Sequence, residues 1–212
     1  MPSENIIVLT VDMFLRFSRI YDNEDYKKKV REIILIYLEK IFKTIPEIIF
    51  LVHEKILERI SNFQEIENRE LILNLCWAVG EFIQNDTIVT EINLPYSPIE
   101  IANKYCDSLE IVIYEMIKDL IEKKKDEENF NWDYNNPHHL YLIKLIQIII
   151  NSLMKLAIKF KEFIPKVVLI FSKILSQKDV FRPNILSKVE ESMALIHYTG
   201  ISSVLFYGND LS

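Results

Sequence analysis

The chain has 212 residues, 31 acidic against 25 basic side chains for a formal charge of −6, and only 3 glycines and 7 prolines. So few turn formers exclude a sheet-rich fold, which needs them about every 8–12 positions. The negative balance excludes a general nucleic-acid binder, whose affinity comes from cationic side chains meeting phosphates.

In chain order, "IIVLTVDMFLRFSRI", Ile6 to Ile20, predicts a short first helix that is apolar on most sides. The start "MPSENIIVLTVDMF" lacks the basic region of a signal peptide. "EDYKKKVREIILIYLEKIFK" predicts a second helix, opened by Asp22, Glu24 and Asp25, whose charges suit a helix N-terminus. Pro46 restarts the chain as the first residue of a third, "PEIIFLVHEKILERI". A fourth runs from about Arg69 to Gln84, and the loop "NDTIVTEINLPY" follows.

"SPIE", Ser97 to Glu100, is a capping box with proline at the first helical position, and it opens a long helix to about Lys125. "KKKDEENFNWDYNN", near 123–136, reads as a charged and polar loop. Asn136–Pro137 starts a helix to about Lys161, and Pro165 opens one ending near Gln177. Pro183 leads into "NILSKVEESMALIHY", with Gly200 placed to stop it. Eight or nine helices and no strand are expected. Leu140 to Phe160 is interrupted by Lys144, Gln147, Asn151 and Lys155. A membrane span wants about 20 mostly apolar residues, so this segment reads as too polar for one. The composition is that of a cytoplasmic protein.

"IPEIIFLVHEKIL" at Ile45 echoes "IPKVVLIFSKIL" at Ile164 if one residue is skipped. Pro46 and Pro165 are 119 positions apart, close to three repeats of about 40, the period of HEAT or armadillo helix pairs. Leu71 to Ile83 and Leu140 to Ile150 are apolar over more than one stripe, as helices with neighbours on most sides must be. The fold expected is all-α, a HEAT/armadillo-like α-solenoid of about four helix pairs forming a single domain over 1–212. An irregular helical bundle is the alternative. The first helix is too apolar for a capping repeat, so the chain reads as a piece of a longer solenoid, or as one that docks its end on a partner.

Candidates for chemistry are few. Cys76 and Cys106 lie in apolar patterns without metal-like spacing, and buried free thiols are the reading preferred over a disulfide. His138 and His139 are adjacent, so on a helix they point about 100° apart and suit a solvated helix start better than one metal ion. His53–Glu54 begins like a zinc-protease motif, but position 57 is leucine, and zinc needs a second imidazole one turn on. His197 is expected at a helix end, where a protonated imidazole suits the dipole. With no glycine-rich phosphate loop and no nucleophile elbow, no catalytic, cofactor-binding or metal-binding residue is predicted, and the chain is not expected to be an enzyme. Lys27, Lys28, Lys29 and Arg31 suit a solvated helix face, with contact to anionic lipid or an acidic partner as the alternative. Phe130, Trp132 and Tyr134 alternate with polar residues, and either anchor a partner or fold back over helix ends.

One stretch, "LNLCWAVGEFI", places Gly80 inside a helix, where glycine costs about 1 kcal/mol relative to alanine. Trp77 and Gly80, three apart, share a face. The glycine admits a neighbouring helix closer than the usual 8–10 Å or so, Trp77 fills the wider space beside it, and Glu81 accepts hydrogen bonds from a neighbouring helix start. Trp77, Gly80 and Glu81 are therefore read as structural determinants.

"LILNLCWAVGEFI" resembles the W-x-x-G-E-[YF] signature in the helical trunks of large adaptins, the big subunits of vesicle-coat adaptor complexes. "IIINSLMKLAIKFKEFIPKVVLIFSKIL" and the tail "ILSKVEESMALIHYTGISSVLFYG" resemble the C-terminal part of the zeta subunit of the fifth adaptor-protein complex. The chain departs from the adaptin pattern at Ala78 and Val79, which are smaller than the usual residues. The resemblance implies a non-enzymatic scaffold in an endosomal adaptor coat that serves vesicle-mediated protein transport. It also implies partners: other adaptor-complex subunits and accessory coat proteins, which in the family are spatacsin and spastizin. Membrane contact would be peripheral at most, on late endosomes or lysosomes. The alternative is a helical-repeat peptide- or protein-binding module unrelated to coats.

Overall fold

The structure, a computed structural model, describes residues 11, 24–83, 96–126, 132, 133 and 135–207. Among these there is no strand. The predicted first helix and the loop after position 84 lie outside the described residues, apart from Val11, which is buried, and Tyr96. The chain divides into two compact units, Met1–Ser108 and Leu109–Ser212.

The first unit begins with α1, Glu24–Thr44. Ile34, Leu38 and Phe42 recur every four residues and are buried, while Glu32, Lys40 and Lys43 face water, the division expected of an amphipathic helix. After Pro46 come α2, Ile48–Leu51, and α3, His53–Ser61. The sequence predicts one helix here and the structure has two. Val52 between them adopts φ −104°, ψ 14°, outside the helical region. A 3₁₀ turn, Ile66–Asn68, then leads into α4, Arg69–Phe82. Extended Ile83 ends α4. Leu71, Ile72, Leu75, Cys76, Ala78, Val79, Gly80 and Phe82 are all buried. Such a helix needs neighbours on several sides, and α4 packs against α1, α3 and the 3₁₀ turn.

A long helix, α5, Pro98–Asp126, contributes residues 98–108 to the first unit and 109–126 to the second. Its capping box forms as its sequence predicts. The Ser97 N–H donates to Glu100 Oε2 at 2.8 Å, and the Glu100 N–H donates back to Ser97 Oγ at 3.4 Å. Lys123, Lys124 and Lys125 fill its last turn, where cations complement the exposed carbonyls.

In the second unit, α6, Pro137–Lys159, is the central helix. By length and composition alone it could cross a membrane, yet 67% of that stretch is buried inside the protein, as befits a core helix. It packs against α7, Ile164–Ser176, against α8, Pro183–Tyr207, and against the 3₁₀ turn Lys161–Phe163. Extended Phe160 ends α6 two residues before the predicted Lys161, and its ring lies 5.4 Å from that of Phe163. Gly200 does not stop α8, which continues to Tyr207. A glycine cap needs positive φ, and no described glycine has it.

Candidate functional site

Trp77, Gly80 and Glu81 all fall in the last turns of α4, with Gly80 buried and the other two half-buried. The Trp77 ring meets Phe82 edge to face at 5.4 Å, and Phe82 stacks on Phe42 at 5.9 Å. Phe82 thus joins α4 to α1, with Trp77 packed against it from the same helix. Beside it runs a partly open groove, lined by Leu35, Leu38 and Phe42 of α1 and by Leu71, Leu75 and Ala78 of α4. Glu39 and Asn74 are the polar residues in an otherwise apolar lining.

Of the aromatic trio, Phe130 and Tyr134 lie outside the described residues. Trp132 is half-buried, and its indole N–H donates to the Val180 carbonyl at 2.9 Å. Lys124 Nζ donates to the carbonyl one residue earlier, Asp179, at 2.9 Å. Arg182 donates in turn to the Trp132 carbonyl. Three donors are thereby aimed at backbone carbonyls, stitching the last turn of α5 and Trp132 to the turn between α7 and α8. The Trp132 ring packs against His139 at 5.7 Å.

The histidines serve the backbone. Asn136 Oδ1 accepts from the His138 and His139 N–H groups at 2.9 and 3.4 Å, a side-chain cap with Pro137 following. The Asp133 N–H donates to His139 Nδ1 at 3.1 Å, so that nitrogen presents its lone pair and the ring proton sits on Nε2. His197 is exposed in the interior of α8, away from the helix end where the sequence predicts it, because that helix runs past Gly200. His53 is 4% exposed, and its Nδ1 lies 2.6 Å from the Phe50 carbonyl. Among the described residues no group of three or more His, Cys, Asp or Glu side chains could hold a metal ion.

Both cysteines are buried and neither is in a disulfide, and burial pushes the Cys76 thiol up to about 12. A protonated, enclosed sulfur is no nucleophile. Lys29 is exposed on α1, while the side chains of Lys27, Lys28 and Arg31 lie outside the description. In the second unit, Lys166 bonds Glu110 at 3.2 Å, and Lys173 lies 3.7 Å above the Tyr114 ring. These pairs tie α7 to α5.

A family model described as AP-5 complex subunit zeta-1, C-terminal TPR repeats, matches residues 3–207. The chain belongs to this family. The resemblance to the C-terminal part of the zeta subunit is thereby confirmed, and with it an all-α helical-repeat fold from an adaptor-complex subunit. The AP-5 zeta description names the repeats TPR, where the spacing of Pro46 and Pro165 pointed to HEAT or armadillo. It is a helical-repeat family of an adaptor complex and not a known enzyme family. Comparison with curated proteins and with solved structures gives no match.

Sequence reading missed Tyr105, whose hydroxyl donates to the Ile49 carbonyl at 2.8 Å, together with the backbone bond of His53.

Proposed function

We propose that this chain is a non-enzymatic scaffold segment of an AP-5-type adaptor coat, acting by presenting helical surfaces to sibling subunits and accessory coat proteins. The match to the zeta C-terminal repeats over residues 3–207 supports this reading. On this reading the chain works in vesicle-mediated protein transport, in the cytoplasm and peripherally on late endosomes or lysosomes. Trp77, Gly80 and Glu81 are architectural, setting how α4 meets its neighbours. Trp132 acts as a clasp on the α7–α8 turn, which leaves partner contact to the surfaces around it.

Affinity capture of the tagged chain from its native cells, followed by mass spectrometry, tests the assignment. Recovery of small and medium adaptor subunits is expected. Recovery of one unrelated peptide ligand and no adaptor subunit would replace the scaffold with a peptide-binding module.

A further inference from the structure

We propose that the outer stripe of α1, Ile33, Ile36 and Tyr37 between Lys29 and Lys40, docks on an anionic lipid surface. The inference rests on the peripheral-membrane part of the function proposed above and names the residues that make the contact. Lys29, Ile33, Ile36, Tyr37 and Lys40 stand at i, i+4, i+7, i+8 and i+11, so they share one side of the helix over about 16 Å. That side lies nearly opposite the buried row of Ile34, Leu38 and Phe42. Ile33 is 52% exposed, Ile36 64% and Tyr37 51%, and both lysines are exposed. Single exposed apolar side chains are ordinary, whereas adjoining ones rimmed by charge mark a contact surface.

The charges decide what covers the stripe. Both charged side chains within it are cations. Glu32 stands about 100° round the helix from Ile33, and Glu39 is engaged by Lys43. An anionic leaflet attracts lysines placed at its surface, while tyrosine and isoleucine suit the boundary between headgroups and acyl chains. The chain's overall charge of −6 does little to oppose the contact from afar, because physiological salt screens charges beyond about 8 Å. A protein partner fits less well. Stable protein interfaces take about 20–30 residues a side, and this stripe falls well short, whereas a lipid surface needs no matching groove and suits reversible docking. The exposed stripe of α8 gives the contrast. Leu195 and Tyr198 stand beside Glu191, whose carboxylate an anionic leaflet repels, and the nearby Lys188 already faces that carboxylate at 3.8 Å.

Sedimentation of the full chain with vesicles tests the contact, comparing about 30% phosphatidylserine in phosphatidylcholine with phosphatidylcholine alone at physiological salt. The natural chain should pellet with the anionic vesicles and stay in solution with the neutral ones. Lys29→Gln and Lys40→Gln should each weaken binding about fivefold. Ile33→Ser combined with Ile36→Ser should weaken it by more than about tenfold, with Tm unchanged because both side chains are exposed. Leu195→Ser, on α8, should bind as the natural chain does. No pelleting with anionic vesicles, equal pelleting with both kinds, or full binding by the double serine variant overturns the proposal. A natural chain that ignores vesicles, paired with an Ile36→Ser chain that loses adaptor subunits in affinity capture, assigns the stripe to a protein partner and equally overturns it. Recovery of adaptor subunits by a natural chain that binds no vesicles would leave the scaffold standing and remove only this lipid contact.

Discussion

The helical segments that follow Pro46 and Pro165 begin with kindred sequences and solve the same packing problem differently. The later one is a single helix whose buried side chains, Val167, Ile170, Phe171 and Ile174, are all apolar. The earlier one is split and holds a buried imidazole where its counterpart holds Phe171. Its two halves depend on a hydroxyl 56 positions away in sequence. Around the break at Val52, the Ile49 carbonyl accepts from the Tyr105 hydroxyl and the Phe50 carbonyl from His53 Nδ1. The second unit uses the same device at a different place, where Trp132 and Lys124 serve the carbonyls between α7 and α8.

The largest effect should come from truncating the apolar member of the matched pair. Phe171→Ala removes a fully buried ring and should cost about 3–5 kcal/mol. His53→Ala leaves the Phe50 carbonyl short of its donor and should cost about 1–3 kcal/mol. Urea unfolding midpoints measure both. Equal losses would mean that the two positions do the same packing work, and the distinction between an apolar and a polar solution would fail.

What the sequence made legible was local. Prolines marked helix starts because the missing N–H is harmless there, and Pro98, Pro137 and Pro183 each stand first in their helices. The capping box at Ser97 and the cap at Asn136 were readable for the same reason, since both partners lie within three residues. The break at Val52 was not readable from apolar periodicity, because Tyr105 is remote in sequence. Gly200 misled as a stop signal, since a glycine ends a helix only if the chain turns left-handed there, and α8 does not. Trp77 and Gly80 were recognisable as neighbours on one helix. That Phe82, packed against Trp77 within α4, stacks on Phe42 depends on α1 and could not be read from α4 alone.

A smaller effect probes α4, the helix against which the broken segment packs. Gly80 is buried, so Gly80→Leu should overpack the site, cost about 1–3 kcal/mol and blunt cooperative unfolding. Gly80→Ala is the sharper variant. On an open helix surface it would stabilise by about 1 kcal/mol through propensity, so a net loss in calorimetry would show that a neighbour occupies the methyl's space. An unchanged profile for the leucine variant would refute close approach.

The smallest effect separates the two units by acid. Helix α5 starts on an ionisable cap and α6 on the amide of Asn136, which does not titrate in this range. The Ser97 N–H, then the Ser97 hydroxyl, hold the Glu100 carboxyl below its ordinary value of 4.5, outweighing slight desolvation, and Lys104 adds to the effect. Because the folded value is depressed, the cap's contribution is complete above the ordinary value and fades as pH falls through the lower, folded one. A side-chain carboxyl NMR titration should therefore place the Glu100 midpoint below 4.5. Ser97→Ala removes the hydroxyl and keeps the stronger backbone donor, so the midpoint should rise only part of the way back. A midpoint already at 4.5 in the unaltered chain would mean that the box is not formed in solution. The two units would then start their helices without the contrast in acid response.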